Sequence, residues 1–310
     1  MKADAVFEGG GVKGIALVGA LQVMEENGYT WEKVAGTSAG SIVAALLSAG
    51  YNSYEMKEIF EELDYLYLLY NKGIGRLPYV GPVAELLLHE GLYRADRIEL
   101  FIDELLRKKR VSTFGDLPGG KLRIIASDIS AGKMLVLPDD LVQYDLPPEN
   151  FSVARAVRMS SSIPFFFQPV KLKKDGVPHY IVDGGLLSNY PIWLFDVPGV
   201  PQWPTIGFRL QDKKALQQET RVTGLFSFTR GLITTMLDAH DRLFVEKAHA
   251  VRTIFIDTLG VRATQFHLPL ETRMKLFASG QESARRFLNH WNFQDYVQVY
   301  RNSSPPRILL

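Results

Sequence analysis

The sequence predicts an α/β protein with a mainly parallel central sheet covered by helices on both faces. Three observations predict it. Short apolar strands alternate with longer helical patterns along the 310 residues. The opening strand, Ala3–Glu8, alternates too little to face water on one side, as expected of a buried parallel strand. Two glycine-rich turns, Gly9–Gly14 and Gly36–Gly40, each sit between a strand and a helix.

The elements follow in order. After Ala3–Glu8 and the first turn, Gly14–Asn27 is apolar on a wide face and closes on Gly28, a helix stop. Trp31–Ala35 reads as a short strand. Ala39–Ala49, apolar almost all round, reads as an enclosed helix. In residues 52–96 the aromatic residues Tyr54, Phe60, Tyr65, Tyr67, Tyr70, Tyr79 and Tyr93 crowd together around a Gly/Pro loop, Asn71–Pro82. Ile98–Leu106 is an amphipathic helix ending in Arg107-Lys108-Lys109-Arg110, a cation cluster suited to a helix C-terminus or, alternatively, to an anionic membrane. Strands are expected near Leu122–Ala126, Met134–Leu137, Pro169–Leu172, Tyr180–Val182, Thr205–Leu210 and Thr253–Ile256. Helices are expected near Val153–Ser160, Gly224–His249 and Leu270–Asn289. No linker or repeat divides the chain, so one domain over residues 1–310 is expected.

Composition excludes several classes. Apolar residues make up 46% and charged residues 22%, the balance of an ordinary globular protein. Thirty-five basic against 34 acidic residues leave +1, with no global field for nucleic acid. There is no cysteine, which removes disulfides, thiolate metal sites and a cysteine nucleophile. The start, MKADAVFEGG, lacks the apolar core of a secretory leader. The longest strongly apolar run, Ile42–Gly50, is far below the ~18 residues that span a bilayer. A cytoplasmic protein, peripheral to a membrane at most, is the expectation, with export by another route left open.

The glycine turns carry the chemistry. Gly9-Gly10-Gly11-Val12-Lys13-Gly14 satisfies the dinucleotide pattern G-x-G-x-x-G, which would make the chain an oxidoreductase. That reading needs an acidic residue ending the second strand, yet the strand ends Val34-Ala35-Gly36 and Glu32 stands at its beginning. The alternative is a small-anion cradle: amides at a helix entrance can hold a phosphate or the oxyanion of acyl transfer. A tight turn with no ligand is the third reading.

Gly36-Thr37-Ser38-Ala39-Gly40 is a G-x-S-x-G elbow between an apolar strand and an apolar helix, the context in which this motif presents a nucleophilic serine. The Ala39 amide is a candidate oxyanion donor beside it. Ser38 needs a base. Conventional chain order nominates His240, His249 or His267, but none lies in a glycine-bearing loop after a strand. Asp183, in Ile181-Val182-Asp183-Gly184-Gly185, ends a buried strand with two glycines opening room beside it. Burial would raise a carboxylate from ~3.9 toward the range of a useful base. A turn-capping Asp-Gly is the competing reading.

Gly9–Gly14, Gly36–Gly40 and Asp183-Gly184-Gly185 together resemble the patatin-like phospholipases, lipid acyl hydrolases with a Ser–Asp dyad. Gly91-Leu92-Tyr93, Phe114-Gly115-Asp116-Leu117, Arg158-Met159-Ser160-Ser161-Ser162-Ile163-Pro164 and Asn189-Tyr190-Pro191 match the same pattern. The similarity spans about residues 4–210, leaving 211–310 without an assigned motif. Glu8 departs from it, standing where many members have Asp or Ser. The resemblance implies a three-layer α/β/α sandwich, Ser38 as nucleophile and Asp183 as base. It also implies an oxyanion hole at Gly10, Gly11 and Val12, and catalysis without metal or cofactor.

The substrate implied is a phospholipid or lysophospholipid, reached by transient contact with a membrane surface. Tyr65–Tyr70 and the loop 71–82 are candidates for a lid or interfacial patch, or for a packed helical cap. Phe165-Phe166-Phe167 is a candidate wall of an acyl pocket, or core packing. Lys13 and Arg158 are candidate headgroup contacts, or members of local ion pairs. Acyl transfer to another alcohol and a lipid-binding module with vestigial chemistry are the remaining alternatives.

Overall fold

A computed structural model describes residues 1–69, 91–212, 231 and 247–301. One eight-stranded sheet organises them. Its strands are β1 (Lys2–Phe7), β2 (Thr30–Thr37), β4 (Leu122–Asp128), β5 (Lys133–Leu137), β7 (Val170–Lys174), β8 (Val177–Asp183), β9 (Thr205–Gln211) and β10 (Thr253–Asp257). The order is β10-β9-β1-β2-β4-β8-β7, with β5 on the other edge of β4. From β10 to β4 all neighbours are parallel. A second, two-stranded parallel sheet pairs β3 (Gly91–Tyr93) with β6 (Phe165–Phe167).

The strand β1 shows why the central sheet is buried on both faces. Ala3, Ala5 and Phe7 join the main core on one side. Val6, with Ala35 of β2, packs on the other against Ile192 and Phe195 of a single-turn helix. Helices α1 (Gly14–Glu26), α2 (Ala39–Ser48), α3 (Ser53–Glu62), α4 (Tyr65–Leu68), α5 (Asp96–Lys108) and α6 (Val153–Ser160) come in chain order. Then follow α7 (Lys247–Ala250), α8 (Leu270–Leu288) and α9 (Phe293–Tyr300). In α1 every residue from Gly14 to Met24 is buried, because α2, α3 and α8 all pack against it. The crossing of α1 and α8 is close: a Cβ on Gly19 would strike the Phe277 carbonyl, and one on Gly280 the Ala16 carbonyl.

One expectation needs correction. The strands predicted near 169–172 and 180–182 do not extend the parallel sheet; β7 and β8 form an antiparallel hairpin, and β8 runs antiparallel to β4. The hairpin closes on Asp175-Gly176, with φ of 52° and 78°, a two-residue turn of the kind whose twist suits it. The helix α3 also went unread, although Asn52 and Glu55 close a reciprocal capping box at its start. Most of the helix expected over 224–249 lies outside the described residues, which include only Lys247–Ala250 as a helix there, with Gly231 helical. No helix among the described residues is long and apolar enough to cross a membrane.

Candidate active site

Strand registers explain how two residues 145 positions apart meet. Along one edge of β4, β2 occupies the first part, ending with Thr37 opposite Ile125. Antiparallel β8 occupies the next part, ending with Asp183 opposite Ala126. The carboxyl ends of β2 and β8 therefore face each other head-on at adjacent residues of β4. Ser38 Oγ donates a hydrogen bond to Asp183 Oδ2 at 2.7 Å.

The elbow is tight. Ser38 has φ 50° and ψ −124°, a backbone conformation costly for a residue with a side chain, and it caps the N-terminus of α2. A Cβ at Gly36 would collide with the Gly40 carbonyl, and one at Gly40 with the carbonyls of Phe7 and Glu8. Both motif glycines are thus required by close backbone approach. The strained serine is held from behind. Its N–H donates to Ser160 Oγ at 2.8 Å, and that hydroxyl donates to the Ile125 carbonyl at 2.6 Å. Ser41 closes the turn onto the Ser38 carbonyl through both N–H and hydroxyl.

Asp183 is held as firmly. Its Oδ1 accepts from the Gly185 N–H at 2.8 Å, and its own N–H donates to the Ser162 carbonyl at 2.9 Å. Gly184 lies against the Ile125 carbonyl, where a Cβ would not fit. Only 1% of Asp183 and 6% of Ser38 is exposed. Burial pushes the Asp183 carboxyl up to about 7 against the lowering effect of its hydrogen bonds from Ser38 and Gly185. That places it where a carboxylate acts as a general base near neutrality.

The glycine turn stands beside Ser38. Gly9 is pressed between Asn189 and the Ser38 side chain, with Asn189 Nδ2 donating to its carbonyl at 3.3 Å. Gly11 has φ 56°, a left-handed conformation that suits glycine. Gly14 opens α1 against Phe60. The Val12 amide, assigned to the oxyanion hole by resemblance, is already bonded. It donates to the Ala263 carbonyl at 3.1 Å, from the C-terminal third. The Gly10 and Gly11 amides, like that of Ala39, have no acceptor among the described residues.

The remaining candidates are placed as follows. Arg158 Nη1 pairs with Asp96 at 2.9 Å and Glu99 at 3.0 Å, the local ion-pair alternative; Lys13 is half-buried at the start of α1. Arg107, Lys108 and Lys109 pair with Asp103, Glu104 and Glu55. In α4, Tyr65 and Leu68 are buried while Leu66 and Tyr67 are exposed. Tyr70 and the loop 71–82 lie outside the described residues. Phe167 is buried, Phe166 half-buried, and Phe165 exposed with φ 63°. No described histidine hydrogen-bonds Ser38; His249 faces Arg252, and His240 lies outside the described residues.

Two supporting residues carried no role in the sequence reading. Ser160 appeared only within a motif, since a run of three serines does not reveal which hydroxyl reaches the elbow. Glu8, fully buried, accepts from the Leu210 N–H and lies 3.5 Å from Arg209 Nε, fixing β1 to β9 just before the triple glycine.

Residues 5–196 match the family model described as patatin-like phospholipase. The chain belongs to that family. A Bacillus subtilis protein, YqhO, is 44% identical over 297 residues, covering 94% of this chain and 100% of its own length. The cUMP-AMP-activated phospholipase of Escherichia coli is 27% identical over 197 residues, 60% of this chain and 55% of the relative. Among solved structures, VipD from Legionella pneumophila superposes with a TM-score of 0.57 at 19% identity, over 93% of this chain and 67% of VipD. The type III effector ExoU gives 0.54 at 17% identity, over 96% of this chain and 53% of ExoU. Both share the patatin-like α/β architecture of a central sheet with flanking helices. The matched segment ends at residue 196, so β9, β10, α8 and the Ala263 contact all lie beyond it.

Proposed function

We propose that this protein is a serine acyl hydrolase that cleaves fatty acyl esters of phospholipids or lysophospholipids through a Ser38–Asp183 dyad. The 2.7 Å hydrogen bond from the Ser38 hydroxyl to the buried Asp183 carboxylate carries the reading. Membership in the patatin-like phospholipase family supports the lipid substrate, as does 28% identity over 193 residues to a probable lipid hydrolase of invertebrate iridescent virus 6.

Ser38 Oγ attacks the ester carbonyl carbon as its proton passes to Asp183 Oδ2. The carbonyl π bond opens, and the resulting oxyanion takes hydrogen bonds from the Gly10 and Gly11 amides. Collapse reforms the carbonyl and breaks the bond to the alcohol oxygen, which leaves with the proton from Asp183. An acyl-Ser38 ester remains. Water then attacks it while Asp183 takes the water's proton; collapse frees the fatty acid, and the proton returns to Ser38 Oγ. The N-terminus of α2 favours the negative charge developing at the elbow. Because Asp183 is desolvated, its basicity is raised where the proton is transferred.

The test is incubation of the purified chain with defined phospholipids and lysophospholipids, with released acids read by mass spectrometry. Fatty acid release by the wild-type protein, lost in Ser38→Ala and Asp183→Asn with the fold retained, is expected. Full release by either variant refutes the dyad. Adding a lysolipid acceptor separates hydrolysis from acyl transfer, since transfer yields a new diacyl product.

A further inference from the structure

The C-terminal third contributes a strap that reaches the site from outside the matched family segment. It leaves β10 through Leu259 and Gly260, both left-handed at φ 55° and 79°, and returns to α8 through Leu268, whose carbonyl accepts from Arg273 Nε. Midway, the Ala263 carbonyl takes the Val12 N–H and packs so tightly on Gly11 that a Cβ there would not fit. Three residues later the Phe266 ring lies flat on Phe166, with centroids 5.1 Å apart and planes at 6°. It meets Phe167 edge-on at 6.4 Å. Tyr93 completes the group, 5.0 Å from Phe166.

This aromatic group is tied to the dyad from the opposite side. The amides of Phe166 and Phe167 both donate to the Ile163 carbonyl. Ile163 follows Ser162, the residue whose carbonyl fastens the Asp183 N–H. The strap thus touches both the glycine turn, through Ala263, and the aromatic cluster, through Phe266. Phe166 and Phe266 are both half-buried, so the stacked pair presents an apolar edge at the surface. Ser38, in contrast, is 94% covered, so a long chain entering beside it must displace something. Phe266 is held there by ring contacts and takes no part in the hydrogen bonds of Ser38 and Asp183.

We propose that Phe266 is the acyl-chain selectivity residue of this site: its ring, packed on Phe166 and Phe167, fills the place that a long acyl chain takes when the ester carbonyl sits at Gly10 and Gly11. The proposal rests on the acyl-hydrolase reading and extends it to the alkyl portion of the substrate. Removing the ring opens that place, and enlarging the ring closes it further.

The experiment compares covalent labelling of Ser38 by two fluorophosphonates, one with a short and one with a hexadecyl chain, followed by intact-protein mass spectrometry. In Phe266→Ala the ratio of long-chain to short-chain labelling rates is expected to rise by about tenfold, the scale on which a few methylenes discriminate in an apolar pocket. In Phe266→Trp the ratio is expected to fall. Should Phe266→Ala not fold, Phe266→Leu gives the same comparison with a smaller rise. An unchanged or lowered ratio in Phe266→Ala or Phe266→Leu, with Ser38 still labelled by the short probe, overturns this proposal and leaves the dyad standing. Absence of Ser38 labelling by either probe in the wild-type protein overturns the acyl-hydrolase reading itself, and this proposal with it.

Discussion

The protonation of Asp183 sets a pH dependence that an ordinary serine–carboxylate pair would lack. Burial raises this carboxyl from 3.8 to about 7, and only its ionised form can accept the Ser38 proton. Two pH units below its midpoint, roughly one carboxyl in a hundred is ionised, so activation of Ser38 at pH 5 should fall about 100-fold below its value at pH 8 to 9. A carboxylate left at 3.8 would already be mostly ionised at pH 5 and would give an almost flat profile. The assay is the rate of Ser38 labelling by a short fluorophosphonate from pH 5 to 9. It should rise through a midpoint near 7 to a plateau. A rate constant unchanged between pH 5 and 8 would refute the buried-base argument. The same burial acts on stability. Between roughly pH 4 and 7 the folded protein keeps a proton that the unfolded chain has released. Stability is therefore full below about 4 and declines as pH rises through that window. The interval from 3.8 to about 7 corresponds to about 4 kcal/mol at roughly 1.36 kcal/mol per pH unit. Asp183→Asn, inactive as a base, should melt higher than the wild-type protein at pH 8 and lose that advantage at pH 4.

Two further outcomes follow from packing and hydrogen bonding. Ser160→Ala removes the acceptor of the buried Ser38 N–H and one donor to the Ile125 carbonyl. It should lower kcat by about 100-fold with KM little changed, as misplacement of a reacting group does. Ser160→Thr should restore part of the loss, and a kcat equal to wild type in the alanine variant would remove Ser160 from the site. Gly280→Val forces a side chain into the Ala16 backbone where α8 crosses α1. It should cost about 1–3 kcal/mol or more, seen as a lower Tm, and an unchanged Tm would contradict the close crossing.

Much of the site was legible because its constraints are local. Gly36 and Gly40 flank Ser38 because neighbouring carbonyls leave no room for a Cβ, and a strand–elbow–helix context shows in the sequence as a glycine pair between apolar runs. Asp183 announced itself by ending an apolar strand before two glycines. The way it meets Ser38 was not legible. It depends on β8 running antiparallel along β4 and stopping one residue short of β2. The Asp175-Gly176 turn, which has a readable sequence signal, fixes only the pairing of β7 with β8; the register of β8 on β4 has no such signal. The engagement of Val12 by Ala263 is non-local in the same sense, linking positions 251 residues apart through a backbone carbonyl that any residue supplies. Arg158 shows the converse: a cation near the site motifs suggested a headgroup, while Asp96 and Glu99 on α5 already neutralise it.

The most direct test traps the covalent intermediate. The protein is mixed with a lysophospholipid, quenched in acid within the first turnovers and digested, and the peptides are analysed by mass spectrometry. An added fatty acyl mass is expected on the peptide containing Ser38, and none in Ser38→Ala. Hydrolysis that proceeds with the acyl group found on another residue, or that persists in Ser38→Ala, would contradict an acyl-Ser38 intermediate.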